Sequence, residues 1–69
     1  MMSMKIIVNG NSETVGDGTT AEMLLQKLEL ADKKLALEVN EEILPRSEYS
    51  DYLLKSGDRI EIIHAIGGG

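Results

Sequence analysis

The side chains that ordinarily carry chemistry are scarce in this 69-residue chain. It has no Cys and one His, His64, which excludes a thiolate nucleophile, a Cys-based zinc site and any two-His metal motif. A Ser-His-Asp site would have to recruit serines from loops. The parity of His64 turns it towards the packed side of the last strand near the sheet's edge, where a packed or partly solvated structural histidine is the ordinary occupant. Glu41-Glu42 falls at an expected hairpin tip, where adjacent glutamates more often solubilise a turn than perform acid–base work. Gly16-Asp17-Gly18 has neither GxGxxG spacing nor a following Lys-Ser/Thr, so it reads as a loop and not as a phosphate cradle.

What remains is the tail, Ile66-Gly67-Gly68-Gly69. Glycines cannot pack and lose more backbone freedom on ordering than other residues, so these three add nothing favourable to a fold. Drawn out at about 3.3–3.6 Å per residue, the four positions project the terminal carboxylate roughly 13 Å. Without Cβ atoms, such an arm passes a narrow channel and leaves its last carbonyl carbon open to a nucleophile. A frayed end or a glycine linker is the competing account, and the tail alone does not choose between them.

The rest of the chain must hold that arm. Met4 to Asn9 is apolar and β-branched, and Gly10-Asn11 is a turn dipeptide before Ser12 to Val15, which predicts a hairpin. Glu13 has the parity of that strand's buried side, so the strand is expected to fray there or to carry a bulge. Thr19-Thr20-Ala21-Glu22 matches a capping box with Thr19 as cap. Ala21, Leu24, Leu25 and Leu28 then form one apolar helical stripe, with Glu22, Gln26, Lys27 and Glu29 on the other side. Leu35 to Val39 alternates with period two. Asn40-Glu41 turns into a short strand, Glu42 to Leu44, which Pro45 confines to an edge. Ser47 to Leu54 is a connection with room for one helical turn, and Arg59 to Ala65 is the final strand. If Ile6, Val8, Ile60 and Ile62 face the helix, Ile7 and Ile63 point to the open side and form a small apolar patch bordered by Glu38 and Glu61. The order is β-β-α-β-β-β, an α+β arrangement of a mixed sheet packed on one helix.

Length and composition set the outer bounds. A chain this short makes one domain and buries only about 60% of its unfolded surface, which leaves no interior for a deep pocket. Hydrophobic residues at 42% and charged residues at 28% are globular proportions. The net charge of -5 repels nucleic acid and anionic membrane. Seven of the 12 acids lie in Leu35 to Gly69, so an acidic surface is expected from the later strands. No secretory signal or membrane span is visible, and a cytoplasmic location is the expectation. Residues 1–3 read as an early start or an added stretch, 4–65 as the domain and 66–69 as a flexible tail.

The order of elements, the length and the glycine end together resemble the ubiquitin-like β-grasp proteins, and most of all the sulfur carrier proteins of thiamine biosynthesis. The likeness runs from about Met4 to Gly69 on Lys5-Ile6-Ile7-Val8-Asn9-Gly10, Val39-Asn40, Pro45-Arg46, Gly57-Asp58-Arg59-Ile60-Glu61-Ile62 and Ile66-Gly67-Gly68-Gly69. It implies a protein cosubstrate that binds no cofactor of its own. A ubiquitin-activating-type adenylating enzyme would use ATP and Mg²⁺ to activate the carboxylate of Gly69. A persulfide on another protein would convert it to a thiocarboxylate, and thiazole synthase would consume the sulfur. Gly67 and Gly68 would be the threadable arm, and Ile7, Ile63 and Ile66 would meet the partners. Three alternatives stay open at this point. The small subunit of molybdopterin synthase also carries a thiocarboxylate, but is usually longer and richer in aromatics. A ubiquitin-like modifier commonly has Arg before its diglycine, where this chain has Ile66-Gly67. A passive interaction domain would leave the tail inert.

Overall fold

The structure, a computed structural model, describes residues 2–64. Its elements are β1 (Ser3–Val8), β2 (Asn11–Gly16), α1 (Ala21–Lys27), β3 (Leu35–Val39), β4 (Glu42–Leu44), a single 3₁₀ turn (Arg46–Glu48) and β5 (Arg59–His64). The strands make one sheet in the order β2-β1-β5-β3-β4. Among the described residues only the β1–β5 pair is parallel. This is the mixed β-β-α-β-β-β sheet that the sequence predicts, with β4 on an edge and cut short by Pro45.

The hairpin turns one residue earlier than expected. Asn9 and Gly10 both have positive φ, 49° and 84°, the pattern of a two-residue turn whose twist matches the strands it joins. Asn11 therefore already pairs with Val8. Six consecutive pairs, from Ser3↔Gly16 to Val8↔Asn11, contain no bulge, so the fraying or bulge expected at Glu13 does not occur. Glu13 lies opposite Ile6 on the helix side and is half-buried. Its place on an edge strand lets the carboxylate reach water around the rim. Pairing also begins before Met4: Ser3 is in β1, and Met2 O accepts from Asp17 N at 3.1 Å.

The helix cap also moves by one residue. Thr19 Oγ1 donates to Gly16 O at 2.6 Å, while Thr20 is extended (φ -91°, ψ 168°) and its hydroxyl oxygen accepts from Met23 N at 3.1 Å. With Thr20 as cap, Glu22 comes one position too early to close a capping box. The two N–H groups ahead of Met23 are met by the connection that follows β4: Ala21 N donates to Tyr52 O and Glu22 N to Tyr49 O. At the other end Glu29 takes φ 61°, Glu29 N donates to Gln26 O and Leu30 N to Leu25 O. This pair of bonds is a Schellman stop, with Glu in the position that glycine usually holds.

The core lies between α1 and one face of the sheet. Ala21, Leu24 and Leu25 meet Ile6, Val8, Val15, Leu37, Val39, Leu44, Ile60 and Ile62, and Tyr49 and Leu54 close the cluster from the connection. Leu28 packs at its margin, as its place in the apolar stripe requires, and Leu53 points outwards. Among the described residues, no helix is long and apolar enough to cross a membrane.

Candidate functional site

The strand that leads to the glycine tail is the central one. β5 runs between β1 and β3, with Ile60 and Ile62 buried and Glu61 and Ile63 on the open side. Its start is anchored by Asp58, the one buried charged residue among those described. Asp58 Oδ1 accepts from Asn40 Nδ2 at 3.0 Å, and Oδ2 accepts from Lys55 N at 2.8 Å. Asn40, itself at φ 53°, uses its Oδ1 to accept from Arg59 N at 3.0 Å. A carboxylate removed from water needs such donors, and here they also hold the entry to β5.

Two further bonds tie the strand midway, where Asn9 Oδ1 accepts from Ile62 N at 2.8 Å and Asn9 Nδ2 donates to Ile62 O at 3.4 Å. Towards its end β5 is paired with β3 as far as Leu35↔His64. His64 is exposed, the more solvated of the two settings that its parity allowed. Ala65, Ile66 and the arm Gly67, Gly68 and Gly69 lie outside the described residues.

The open face differs from the expected patch. Ile7 and Ile63 are both on it, with 36% and 48% of their surface exposed. They do not meet. Ile7 is level with Arg59 and Ile63 is level with Ala36, which puts four strand positions, about 13 Å, between them. Arg59 and Glu61 fill the interval. Glu38 and Glu61 stand directly opposite each other, so the acidic border is in fact the middle of the face. Ile43, 65% exposed, flanks Glu38 from β4 and was not singled out from the sequence. The alternation Glu42-Ile43-Leu44 held the signal, since burying Leu44 turns Ile43 outwards. Beside the acidic pair, Ile7, Gly10, Glu38, Glu41, Arg59, Ile60 and Glu61 line a shallow hollow of about 300 Å³. Among the described residues, no group of three or more His, Cys, Asp or Glu is placed to hold a metal ion. The face therefore presents two opposed carboxylates flanked by exposed isoleucines.

Comparison with known proteins decides what such a scaffold belongs to. The model of the ThiS family matches residues 5–69, from the first strand through the last glycine. The chain belongs to the ThiS family. The sulfur carrier protein ThiS of Escherichia coli is 30% identical over 66 residues, which is 96% of this chain and 100% of that protein. The crystal structure of the thiamine biosynthesis protein ThiS from Geobacter metallireducens superposes with a TM-score of 0.79 at 32% identity, covering 96% of this chain and 100% of that one. A thiazole synthase of Paramagnetospirillum magneticum is 39% identical over 66 residues, 96% of this chain but 20% of that protein. The chain thus spans about a fifth of the length of the thiazole synthases it matches. Family, fold and relatives agree with the ThiS-like scaffold that the sequence leads one to expect.

Proposed function

We propose that this ThiS-family chain carries sulfur on the carboxyl group of Gly69. The single observation that bears the most weight is that the family match includes the glycine end and begins in β1, so scaffold and arm are matched as one unit. A carboxylate is a poor electrophile. In the proposed cycle an adenylating enzyme of the ubiquitin-activating type joins it to the α-phosphate of ATP, with Mg²⁺, and pyrophosphate leaves. The terminal sulfur of a persulfide then attacks the carbonyl carbon and expels AMP. A second thiol cleaves the resulting acyl disulfide, leaving a thiocarboxylate on Gly69 and a disulfide on the donor side. This chain has no Cys, so both sulfur-bearing groups come from other proteins.

Thiazole synthase is the proposed acceptor. Relatives with that name contain a segment like this chain, which supports a working partnership between carrier and synthase. Gly67 and Gly68 serve as the part that passes the active-site channel, and Ile66, Ile7 and Ile63 as contacts at its mouth and on the open face. The proposed place of action is the cytoplasm. The test is intact mass after incubation with ATP, Mg²⁺, the cognate adenylating enzyme and a persulfide donor. The expected gain equals exchange of one oxygen for sulfur, localised to the terminal peptide. An unchanged mass while the enzyme is demonstrably turning over ATP would refute the carrier reading. Removing Gly68 and Gly69 is expected to leave the fold intact and abolish the gain.

A further inference from the structure

β1 accompanies β5 only part of the way. Their parallel register covers Ile7↔Arg59 and Val8↔Ile60, Asn9 N donates to Ile60 O at 2.9 Å, and the chain then leaves through the Asn9-Gly10 turn. Two positions further along β5, where a longer β1 would have offered a peptide group, the side chain of Asn9 is found instead. Its Oδ1 accepts from Ile62 N at 2.8 Å and its Nδ2 lies 3.4 Å from Ile62 O. A carboxamide carries the same donor and acceptor as a peptide unit, so Asn9 extends the ladder by one rung after its own strand has ended. The turn does not require this. Glycine adopts the same positive φ without a side chain, so the contact with Ile62 is a separate property of the residue.

We propose that Asn9 is a positioning residue for the carrier end of the chain: its grip on Ile62 keeps the last described stretch of β5 ordered for capture by a partner enzyme. The inference rests on the carrier reading above. On the opposite side β3 keeps its pairing through His64, so the loss of Asn9 loosens the strand on one side only. A root that must be ordered during capture costs binding free energy, whereas the chemistry at Gly69 is unchanged once the arm is seated. The effect belongs in KM for the carrier and not in kcat.

Two variants separate the rung from the turn. Asn9→Gly keeps the backbone conformation and removes the side chain, whereas Asn9→Asp keeps the oxygen that accepts from Ile62 N. The readouts are amide hydrogen exchange at Ile62, followed by NMR, and steady-state ATP–pyrophosphate exchange with the cognate adenylating enzyme at varied carrier concentration. For Asn9→Gly we expect exchange at Ile62 to quicken about tenfold, as loss of one hydrogen bond implies. KM should rise about three- to tenfold with kcat within about twofold, and Asn9→Asp should restore most of both. Faster exchange at Ile62 with an unchanged KM overturns the role of Asn9 and leaves the carrier reading standing. A fall in kcat at unchanged KM, or no rescue by Asp, also overturns it. Absence of pyrophosphate exchange with the unaltered chain overturns the carrier reading itself, and this inference with it.

Discussion

The two sides of β5 show how differently one strand can be used. On the helix side Ile60 and Ile62 are 1% and 7% exposed and join a core that every strand of the sheet reaches. On the open side, one residue away in each direction, Glu61 faces Glu38 across the strand pair and Ile63 keeps 48% of its surface in water. Like charges placed directly opposite each other weaken a sheet, and an exposed Ile contributes little to it. The first side therefore accounts for stability, and the second is the side that the proposed docking would use, so the two duties fall to alternate residues.

The sharpest way to break this division is to shorten one side chain on each side of the strand. Ile60→Ala removes buried methylenes from the centre of the core and is expected to cost about 2–5 kcal/mol. At about 0.05–0.15 kcal/mol of stability per residue, that is a large share of what the domain has. Ile63→Ala should stay within about 0.5 kcal/mol. Urea unfolding monitored by circular dichroism measures both, and equal losses would mean that the open side contributes to folding after all.

A smaller loss tests the one charge held on the buried side. Asp58→Ala takes the acceptor from Asn40 Nδ2 and Lys55 N and is expected to cost about 1–3 kcal/mol. The damage should centre on the entry to β5. Amide exchange at Lys55 and Arg59 should rise by more than at Leu24 in α1. Uniform acceleration across the chain would show that Asp58 acts through global stability alone.

The same contrast explains what the sequence revealed. Periodicity placed Ala21, Leu24, Leu25, Leu37, Val39, Ile60 and Ile62 correctly, because burial against a helix leaves a regular apolar signal. Single-residue offsets escaped it. Thr19 and Thr20 are chemically alike as caps, and only the bond from Thr19 to Gly16 O and the bridge from Thr20 to Leu53 decide between them. Asn9 was counted within its strand because its double role as turn residue and rung depends on where β5 lies, more than fifty residues away. The separation of Ile7 from Ile63 depends likewise on the β1–β5 register, a long-range property that alternation within either strand does not carry. The glycine run is plain in the sequence, but the tail alone does not assign it a role, and it lies outside the described residues.

Glu29 offers a third test, at the point where the helix covering the buried side stops. Its φ of 61° is costly for a residue with a Cβ, and its side chain is exposed. Glu29→Gly removes that strain, offset in part by glycine's larger loss of freedom on folding. It should stabilise the protein by up to about 1 kcal/mol, or several degrees in Tm for a domain of this length. A lower Tm would mean that the carboxylate, and not the backbone conformation, is what this position supplies.

Glu61→Gln has the smallest effect and discriminates best between the two duties. Neutralising one of two opposed carboxylates should raise stability by about 0.2–1 kcal/mol, since nothing buried is disturbed. A residue that the fold would be better without is a candidate for use elsewhere, because function is commonly retained at the expense of stability. If the acidic centre of the open face takes part in docking, the same variant should bind the adenylating enzyme or thiazole synthase more weakly, and the difference should shrink as salt is added. A gain in Tm together with a loss of affinity would assign Glu61 to the partner. A gain in both would leave Ile7, Ile43 and Ile63 as the contacts that matter, with the acidic pair a burden that neither folding nor docking explains.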